Sequence, residues 1–198
     1  MASFLFSLPA ITLLLILLFS PSSPTVSAEL IRDSDGALLR NGDLYYIVPI
    51  GLGTGGLTWT QGPDNSPCRL NIKQKRYSLG TLVKVSARDV QTLHIPTGFP
   101  YLLALEFVDS EAPCPELGWV LTNVPGTNDV YMFAGNSPSY SFIAEPISGK
   151  TEVYKFMYHW YHHGNRFDDV GFDHNQRLTV TQPPMEFRFV KANKYMSQ

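Results

Sequence analysis

The chain has 198 residues, and its 15 Lys and Arg against 17 Asp and Glu give a net charge of −2 at pH 7. This balanced composition contains no basic run, so nucleic acid and anionic membrane surfaces are not expected as its main partners. The length suits one domain with a full-sized core.

The N-terminal 28 residues have the features of a secretory signal peptide, although Lys and Arg are absent before the apolar core. This core, residues 11–19, is shorter than the roughly 20 residues that span a bilayer, which disfavours the alternative of a membrane anchor. Small side chains at Val26 and Ala28 predict cleavage after Ala28. We therefore expect residues 29–198 to form a single secreted domain, with the vacuole as an alternative destination. No second apolar run follows, so we expect no membrane contact once the signal is removed. We also expect a monomer.

The mature part contains two cysteines, Cys68 and Cys114. In a secreted chain, two cysteines most simply form one disulfide. Such a link closes a loop of about 47 residues, and the chain-entropy relation gives about 4 kcal/mol of stabilisation.

Ten short runs of β-forming residues are separated by scattered Gly and Pro. They are residues 44–50, 70–73, 82–85, 102–108, 119–124, 130–133, 140–144, 153–160, 178–181 and 185–190. Near the C terminus, Phe187 and Phe189 share one face of a strand, and Glu186 and Arg188 share the other. This spacing predicts an all-β barrel or sandwich, and the pattern alone does not choose between them.

A series of motifs follows the mature chain in a fixed order. The first is IRDSDGALLRNGDLYYI, residues 31–47. The others are residues 68–74, Cys114 with Trp119, residues 168–172, residues 177–180 and residues 187–192. In sequence order they resemble the motifs of the Kunitz soybean trypsin inhibitor family, except that Ala37 replaces the family's polar or charged residue.

This resemblance implies a β-trefoil of twelve short strands, a pseudo-threefold barrel with a hairpin cap. It also implies a secreted inhibitor of a serine endopeptidase, most simply a trypsin-like one, with no catalytic activity and no cofactor. Such inhibitors act as substrates that fail to leave, because a rigid exposed loop enters the protease cleft and its cleaved ends stay in place.

The resemblance places the reactive loop within residues 84–101. Counting from Gly80-Thr81, Arg88 falls at P1, the residue that enters the specificity pocket of the protease, and Asp89 falls at P1′. Asn41 matches the family's bracing Asn, whose amide both donates and accepts hydrogen bonds. The resemblance therefore assigns Arg88 and Asp89 to the reactive site and Asn41 to the support of the loop.

Several alternatives remain open within this assignment. An acidic side chain at P1′ suits few serine proteases, so Arg88 and Asp89 are alternatively an ordinary solvated pair. The segment is longer than in the soybean prototype, which leaves Gln91 and Leu93 as other P1 residues. Asn41 with the glycine that follows it is also a strong hairpin-turn signal.

The main functional alternative is a non-inhibitory protein on the same scaffold, a carbohydrate or small-ligand binder or a storage protein. Tyr158, Trp160 and Tyr161 are candidates for a sugar-stacking surface. An enzyme has no positive support, because neither a Gly-x-Ser-x-Gly elbow nor a His-Glu-x-x-His motif occurs.

The stretch KFMYHWYHHGNRFDD, residues 155–169, holds three of the five histidines. The resemblance implies that many family members have a second disulfide here, and its cysteines would fall near residues 158–159 and 166–167. We expect instead a hairpin packed with aromatic side chains, which bury large areas. The alternative is a zinc site built from four side chains, those of His159, His163, His174 and Asp168.

Overall fold

A computed structural model describes residues 28–192 except 52, 54, 63–65, 67, 125, 128, 162, 163 and 165. The signal peptide predicted for residues 1–28 therefore lies almost entirely outside the described residues. The described chain contains twelve strands. They are β1 (Leu44–Pro49), β2 (Gly55–Thr60), β3 (Leu70–Arg76), β4 (Leu82–Ala87), β5 (Leu103–Val108), β6 (Gly118–Asn123), β7 (Val130–Asn136), β8 (Phe142–Pro146), β9 (Tyr154–Trp160), β10 (Arg166–Phe172), β11 (Leu178–Val180) and β12 (Glu186–Lys191).

Six of these strands close a ring through antiparallel pairs. Strand β1 pairs with β4 and β12, β5 pairs with β4 and β8, and β9 pairs with β8 and β12. The other six form the hairpins β2–β3, β6–β7 and β10–β11, each inserted between two ring strands. Four strands repeated three times make the predicted β-trefoil, and the closed ring excludes two stacked sheets.

Side-chain alternation along the ring strands supplies the core. Among the described residues, seven aromatic side chains are fully buried: Tyr45, Trp119, Phe133, Phe142, Phe156, Phe187 and Phe189. The rings of Phe156 and Phe187 stack with their centroids 3.8 Å apart. On β12, Phe187 and Phe189 are buried while Arg188 is exposed, which confirms the predicted faces of this strand.

Strand β2 is absent from the sequence pattern because its first residues are glycines, which have low β-propensity. Their role is steric: a Cβ on Gly56 would lie 1.7 Å from the carbonyl oxygen of Leu79. Trp59 on the same strand is partly buried and packs against the core. Its indole Nε1 donates a hydrogen bond of 3.0 Å to Asp109 Oδ2.

Cys68 and Cys114 form the predicted disulfide, with their Cα atoms 5.3 Å apart. It joins the start of β3 to the connection between β5 and β6. In the described part of the chain, no helix has the length and apolar character needed to cross a membrane.

Candidate functional site

The connection between β4 and β5, residues 88–102, carries the predicted reactive residues. The two strands pair from Leu82–Val108 to Ala87–Leu103. Arg88 N then donates to Leu102 O at 2.9 Å, and the chain leaves the sheet. Arg88 and Asp89 are exposed, and Val90 after them is 82% exposed. The Arg88–Asp89 peptide bond thus lies where a strand opens into a surface loop.

Asn41 holds this loop through both ends of its side-chain amide. Its Oδ1 accepts a hydrogen bond of 2.9 Å from Ala87 N, and its Nδ2 donates one of 3.2 Å to Asp89 O. The backbone N–H of Asn41 donates to Leu93 O at 3.0 Å. The side chain therefore binds the backbone on both sides of the Arg88–Asp89 bond, and the main chain binds the returning limb.

A tight turn over residues 40–43 positions Asn41. Asp43 N donates to Arg40 O at 3.2 Å, and Gly42, at φ +83°, donates its N–H to Val85 O at 2.8 Å. A glycine suits this left-handed backbone. The turn signal in the sequence is thereby confirmed, and the same turn supports the amide that contacts the loop.

Tyr45 fixes this turn from within the core. Its ring is fully buried, and its hydroxyl accepts a hydrogen bond of 2.9 Å from Arg40 N. Burial raises the pKa of Tyr45, against the lowering effect of that hydrogen bond, so the hydroxyl stays neutral at physiological pH. The contact of Tyr45 with Arg40 depends on the turn geometry, so the sequence alone does not reveal it.

Asp89 starts a second tight turn at the tip of the loop. Its Oδ1 accepts a hydrogen bond of 3.1 Å from Gln91 N, and its carbonyl accepts one of 3.2 Å from Thr92 N. Short acidic side chains favour such turns because they bind the backbone N–H two residues ahead. Leu93, the other alternative P1 residue besides Gln91, is 58% exposed, and its carbonyl is bound to Asn41.

The hairpin of β9 and β10 packs against the base of the loop. His159 lies opposite Phe167, and their rings stack with centroids 4.7 Å apart. Phe99, from the β4–β5 connection, contacts Phe167 edge-on at 5.5 Å. A stacked pair of rings thus joins the two strands, as expected for a hairpin packed with aromatic side chains.

The histidines of this hairpin do not assemble with other ligands in the part of the chain that is described. His159 is buried, and His174 is exposed with its Nε2 2.9 Å from Asn175 Nδ2. His162 and His163 lie outside the described residues. Among the residues that are described, no group of three or more His, Cys, Asp or Glu side chains is placed to hold a metal ion.

The three aromatic residues suggested as a sugar-stacking surface do not share one open face. The rings of Tyr158 and Trp160 contact each other edge-on at 5.3 Å, and both residues are partly buried. Trp160 Nε1 donates to Asp168 Oδ2 at 2.9 Å, while Tyr161 is 48% exposed. Tyr161 alone among them offers an exposed ring.

The sequence model of the legume Kunitz family, described as trypsin and protease inhibitors, matches residues 31–191. This match includes all twelve strands and the braced loop. The chain belongs to this family.

Individual relatives agree with the family assignment. This Kunitz chain is 28% identical over 172 residues to a trypsin inhibitor from Enterolobium contortisiliquum, covering 82% of the chain and 97% of the relative. It is 25% identical to the structure of trypsin inhibitor 1 from Senna obtusifolia, with a TM-score of 0.67 and coverage of 84% and 99%.

Two further solved structures share the fold. Soybean trypsin inhibitor in complex with porcine pancreatic trypsin has a TM-score of 0.67, 23% identity and coverage of 82% and 99%. The water-soluble chlorophyll protein from Brassica oleracea var. Botrytis, bound to chlorophyll b, has a TM-score of 0.68, 23% identity and coverage of 82% and 98%. The fold of this Kunitz chain is therefore found both in a protease inhibitor and in a protein that binds a pigment.

Proposed function

We propose that this protein inhibits a trypsin-like serine endopeptidase by presenting the Arg88–Asp89 bond as a substrate that is not released. The observation that carries the proposal is the amide of Asn41, which binds Ala87 N and Asp89 O on the two sides of that bond. A loop ordered before binding loses little entropy in the protease cleft. Family membership and the names of the relatives support the same activity.

Arg88 is the residue that we assign to P1. A trypsin-like specificity pocket has a buried carboxylate at its base, and a guanidinium pairs with a carboxylate through two parallel hydrogen bonds. Arg88 is exposed at the end of β4, where its side chain is accessible to a protease. The chemistry of this side chain therefore favours trypsin-like targets over chymotrypsin-like ones.

The hydrogen bonds of Asn41 to Ala87 and Asp89 explain why the loop would inhibit the protease and not be hydrolysed by it. If the protease cuts the bond between Arg88 and Asp89, Asn41 still binds the backbone on both sides of the cut. The new amine then stays beside the acyl group, at a high effective concentration for re-forming the bond. A mobile loop would instead release its amine end and be hydrolysed.

We further propose that the protein is secreted after cleavage following Ala28 and acts as a monomer. The disulfide supports this route, because such bonds persist in oxidising compartments outside the cytosol. N-terminal sequencing of the protein secreted by a eukaryotic host tests the route, and a mature protein beginning at Glu29 is the expected result.

Inhibition assays with trypsin, chymotrypsin and subtilisin test the proposed activity. Losing the charge pair in the specificity pocket costs about 3 kcal/mol, so Arg88→Ala should weaken trypsin inhibition by about 150-fold. Arg76→Ala, at an exposed site on β3, is the matched control and should leave inhibition unchanged. Inhibition that survives Arg88→Ala would move the reactive bond elsewhere in the loop.

A second candidate function is small-ligand binding, and one groove favours it. This groove has a volume of about 540 Å³, within the range of ligand sites, and Tyr77 at its edge is 91% exposed. Other lining residues are Val48, Pro49, Leu79, Arg188 and Val190. A protein of this kind would not inhibit any of the three proteases, and Arg88→Ala would not change its ligand binding.

A further inference from the structure

We propose that Asp89 is a positioning residue that anchors the leaving-group side of the reactive bond, an inference that rests on the proposed inhibitory function. The sequence gives the opposite expectation, in which an acid at P1′ hinders docking. The geometry points to a carboxylate that is engaged by its own loop.

Three hydrogen bonds converge on Asp89. Its Oδ1 accepts Gln91 N at 3.1 Å, and its carbonyl oxygen accepts both Thr92 N at 3.2 Å and Asn41 Nδ2 at 3.2 Å. The side-chain bond closes the same turn as the bond from Thr92. Because the turn starts at Asp89, its carboxylate keeps the Asp89 backbone where Asn41 can reach it.

The chemistry at the reactive bond shows why this anchor matters. The protease serine Oγ attacks the carbonyl carbon of Arg88, the C–N bond to Asp89 breaks, and the departing nitrogen takes a proton from the protease histidine. In the reverse step, the Asp89 amine attacks the acyl carbon, the serine oxygen leaves, and that oxygen regains a proton through the histidine. Water attacking the same carbon would instead complete hydrolysis.

The amine of Asp89 therefore has to remain near the acyl carbon while the bond is open. After the cut, two contacts tie the segment that begins at Asp89 to Asn41: Asp89 O accepts from Asn41 Nδ2, and Leu93 O accepts from Asn41 N. A turn without its side-chain bond would let the amine drift away more often. Asp89 thus favours re-formation of the bond over hydrolysis.

Substitutions at Asp89 separate this role from that of a charge that hinders docking. If Asp89 anchors the loop, removing its side chain weakens inhibition, and if its charge hinders docking, removing it strengthens inhibition. Asp89→Ala removes the acceptor and the charge together, whereas Asp89→Asn removes the charge and keeps an acceptor oxygen. Asp129→Ala, at an exposed acid in the β6–β7 turn, makes the same change in net charge elsewhere. Thermal unfolding of each variant checks that it is folded.

The experiment measures the trypsin inhibition constant and the rate at which the Arg88–Asp89 bond is hydrolysed during long incubation. For Asp89→Ala, we expect inhibition about 10-fold weaker and faster hydrolysis, in line with the loss of one hydrogen bond in the loop. Asp89→Asn should keep both values within about threefold of the parent, because a neutral acceptor makes a weaker hydrogen bond than a carboxylate. Asp129→Ala should match the parent.

Tighter inhibition by both Asp89→Ala and Asp89→Asn would overturn the inference in favour of a hindering charge, and unchanged values for Asp89→Ala would also overturn it. If the parent protein inhibits no protease, the proposed function fails on its own. Amide hydrogen exchange of Gln91 then still tests the anchor. Its exchange should be slowed in the parent and in Asp89→Asn but not in Asp89→Ala, and equal exchange in all three would refute the anchor.

Discussion

At the scale of single residues, the central contact is the amide of Asn41 against the loop backbone. An amide suits this position because one end must accept from Ala87 N while the other donates to Asp89 O. A carboxylate has no donor, and a lysine has no acceptor. Turn geometry alone would allow other residues at this position, whereas the two hydrogen bonds to the loop require an amide.

Replacing Asn41 by Ala should weaken inhibition while the fold is kept. Two hydrogen bonds are lost, worth about 2 kcal/mol together, which corresponds to about a 30-fold rise in the inhibition constant for trypsin. Steady-state inhibition assays measure this change. Asn136→Ala, at an exposed site on β7, is the control and should behave like the parent. An Asn41→Ala protein that inhibits as tightly as the parent would show that the brace is not needed.

The sequence could predict some of these residues and not others. Asn41 stands in a motif that resembles a known family, and Arg88 and Asp89 follow from counting along the chain from Gly80-Thr81, so the sequence could nominate all three. The contact of Asp89 with Gln91 N could not be predicted, because it depends on the backbone path of a loop that is longer than the prototype's.

At the scale of elements, the β9–β10 hairpin shows how aromatic side chains stabilise a region where the resemblance implies a second disulfide in many family members. The stacked rings of His159 and Phe167 join the two strands, and Phe99 links them to the connection that carries the loop. The aromatic packing could be anticipated from composition. The contact of Phe99 with Phe167 could not, since the two residues are far apart in the sequence and meet only through the ring of strands.

The β10–β11 turn contains an ion pair, Asp173–Arg177, whose contribution to stability depends on pH. Burial would raise the pKa of Asp173, but hydrogen bonds from the backbone and side chain of Arg177, together with its charge, outweigh burial and lower it from the ordinary value of 3.8. Arg177 also lies over the ring of Tyr131, with its guanidinium carbon 3.8 Å from the ring centroid. The ionised Asp173 carboxylate thus holds the Arg177 side chain, which in turn contacts Tyr131 on β7.

The lowered pKa of Asp173 predicts the sign of a pH effect. The unfolded chain takes up the proton near 3.8 and the folded chain only at lower pH, so this stabilisation is complete above 3.8 and is lost as pH falls through the folded-state pKa. Chemical unfolding of the parent and Asp173→Asn at a series of pH values measures it. The difference in unfolding free energy between them should shrink as the pH drops below 3.8, and a constant difference would contradict the assignment.

At the scale of the whole molecule, the ring is closed by strands from opposite ends of the chain. Strand β12 pairs with β1 over five residue positions, from Tyr45–Lys191 to Pro49–Phe187. Strand spacing in a sequence reports only local elements, so spacing alone left barrel and sandwich open. The resemblance of the ordered motifs to the Kunitz family implied the trefoil, because a family shares its complete set of strand pairings.

The disulfide should contribute to the stability of the whole molecule more than to inhibition. The reactive loop leads into the start of β5 at Leu103, whereas Cys114 follows the other end of this strand. Replacing both Cys68 and Cys114 with Ser should lower the free energy of unfolding by about 4 kcal/mol. The inhibition constant, measured well below the unfolding temperature, should stay close to the parent's. A large loss of inhibition in a folded variant would show that the disulfide also orders the loop.

One measurement tests the central claim, that Arg88–Asp89 is a braced reactive bond, most directly. The mature protein is incubated with trypsin at acidic to neutral pH, the complex is isolated and dissociated, and the recovered inhibitor is analysed by N-terminal sequencing and intact mass. We expect a stable complex and a single new N terminus, Asp-Val-Gln, in a fraction of molecules that remain inhibitory. A new N terminus at any other residue, or rapid degradation without a complex, would contradict the claim.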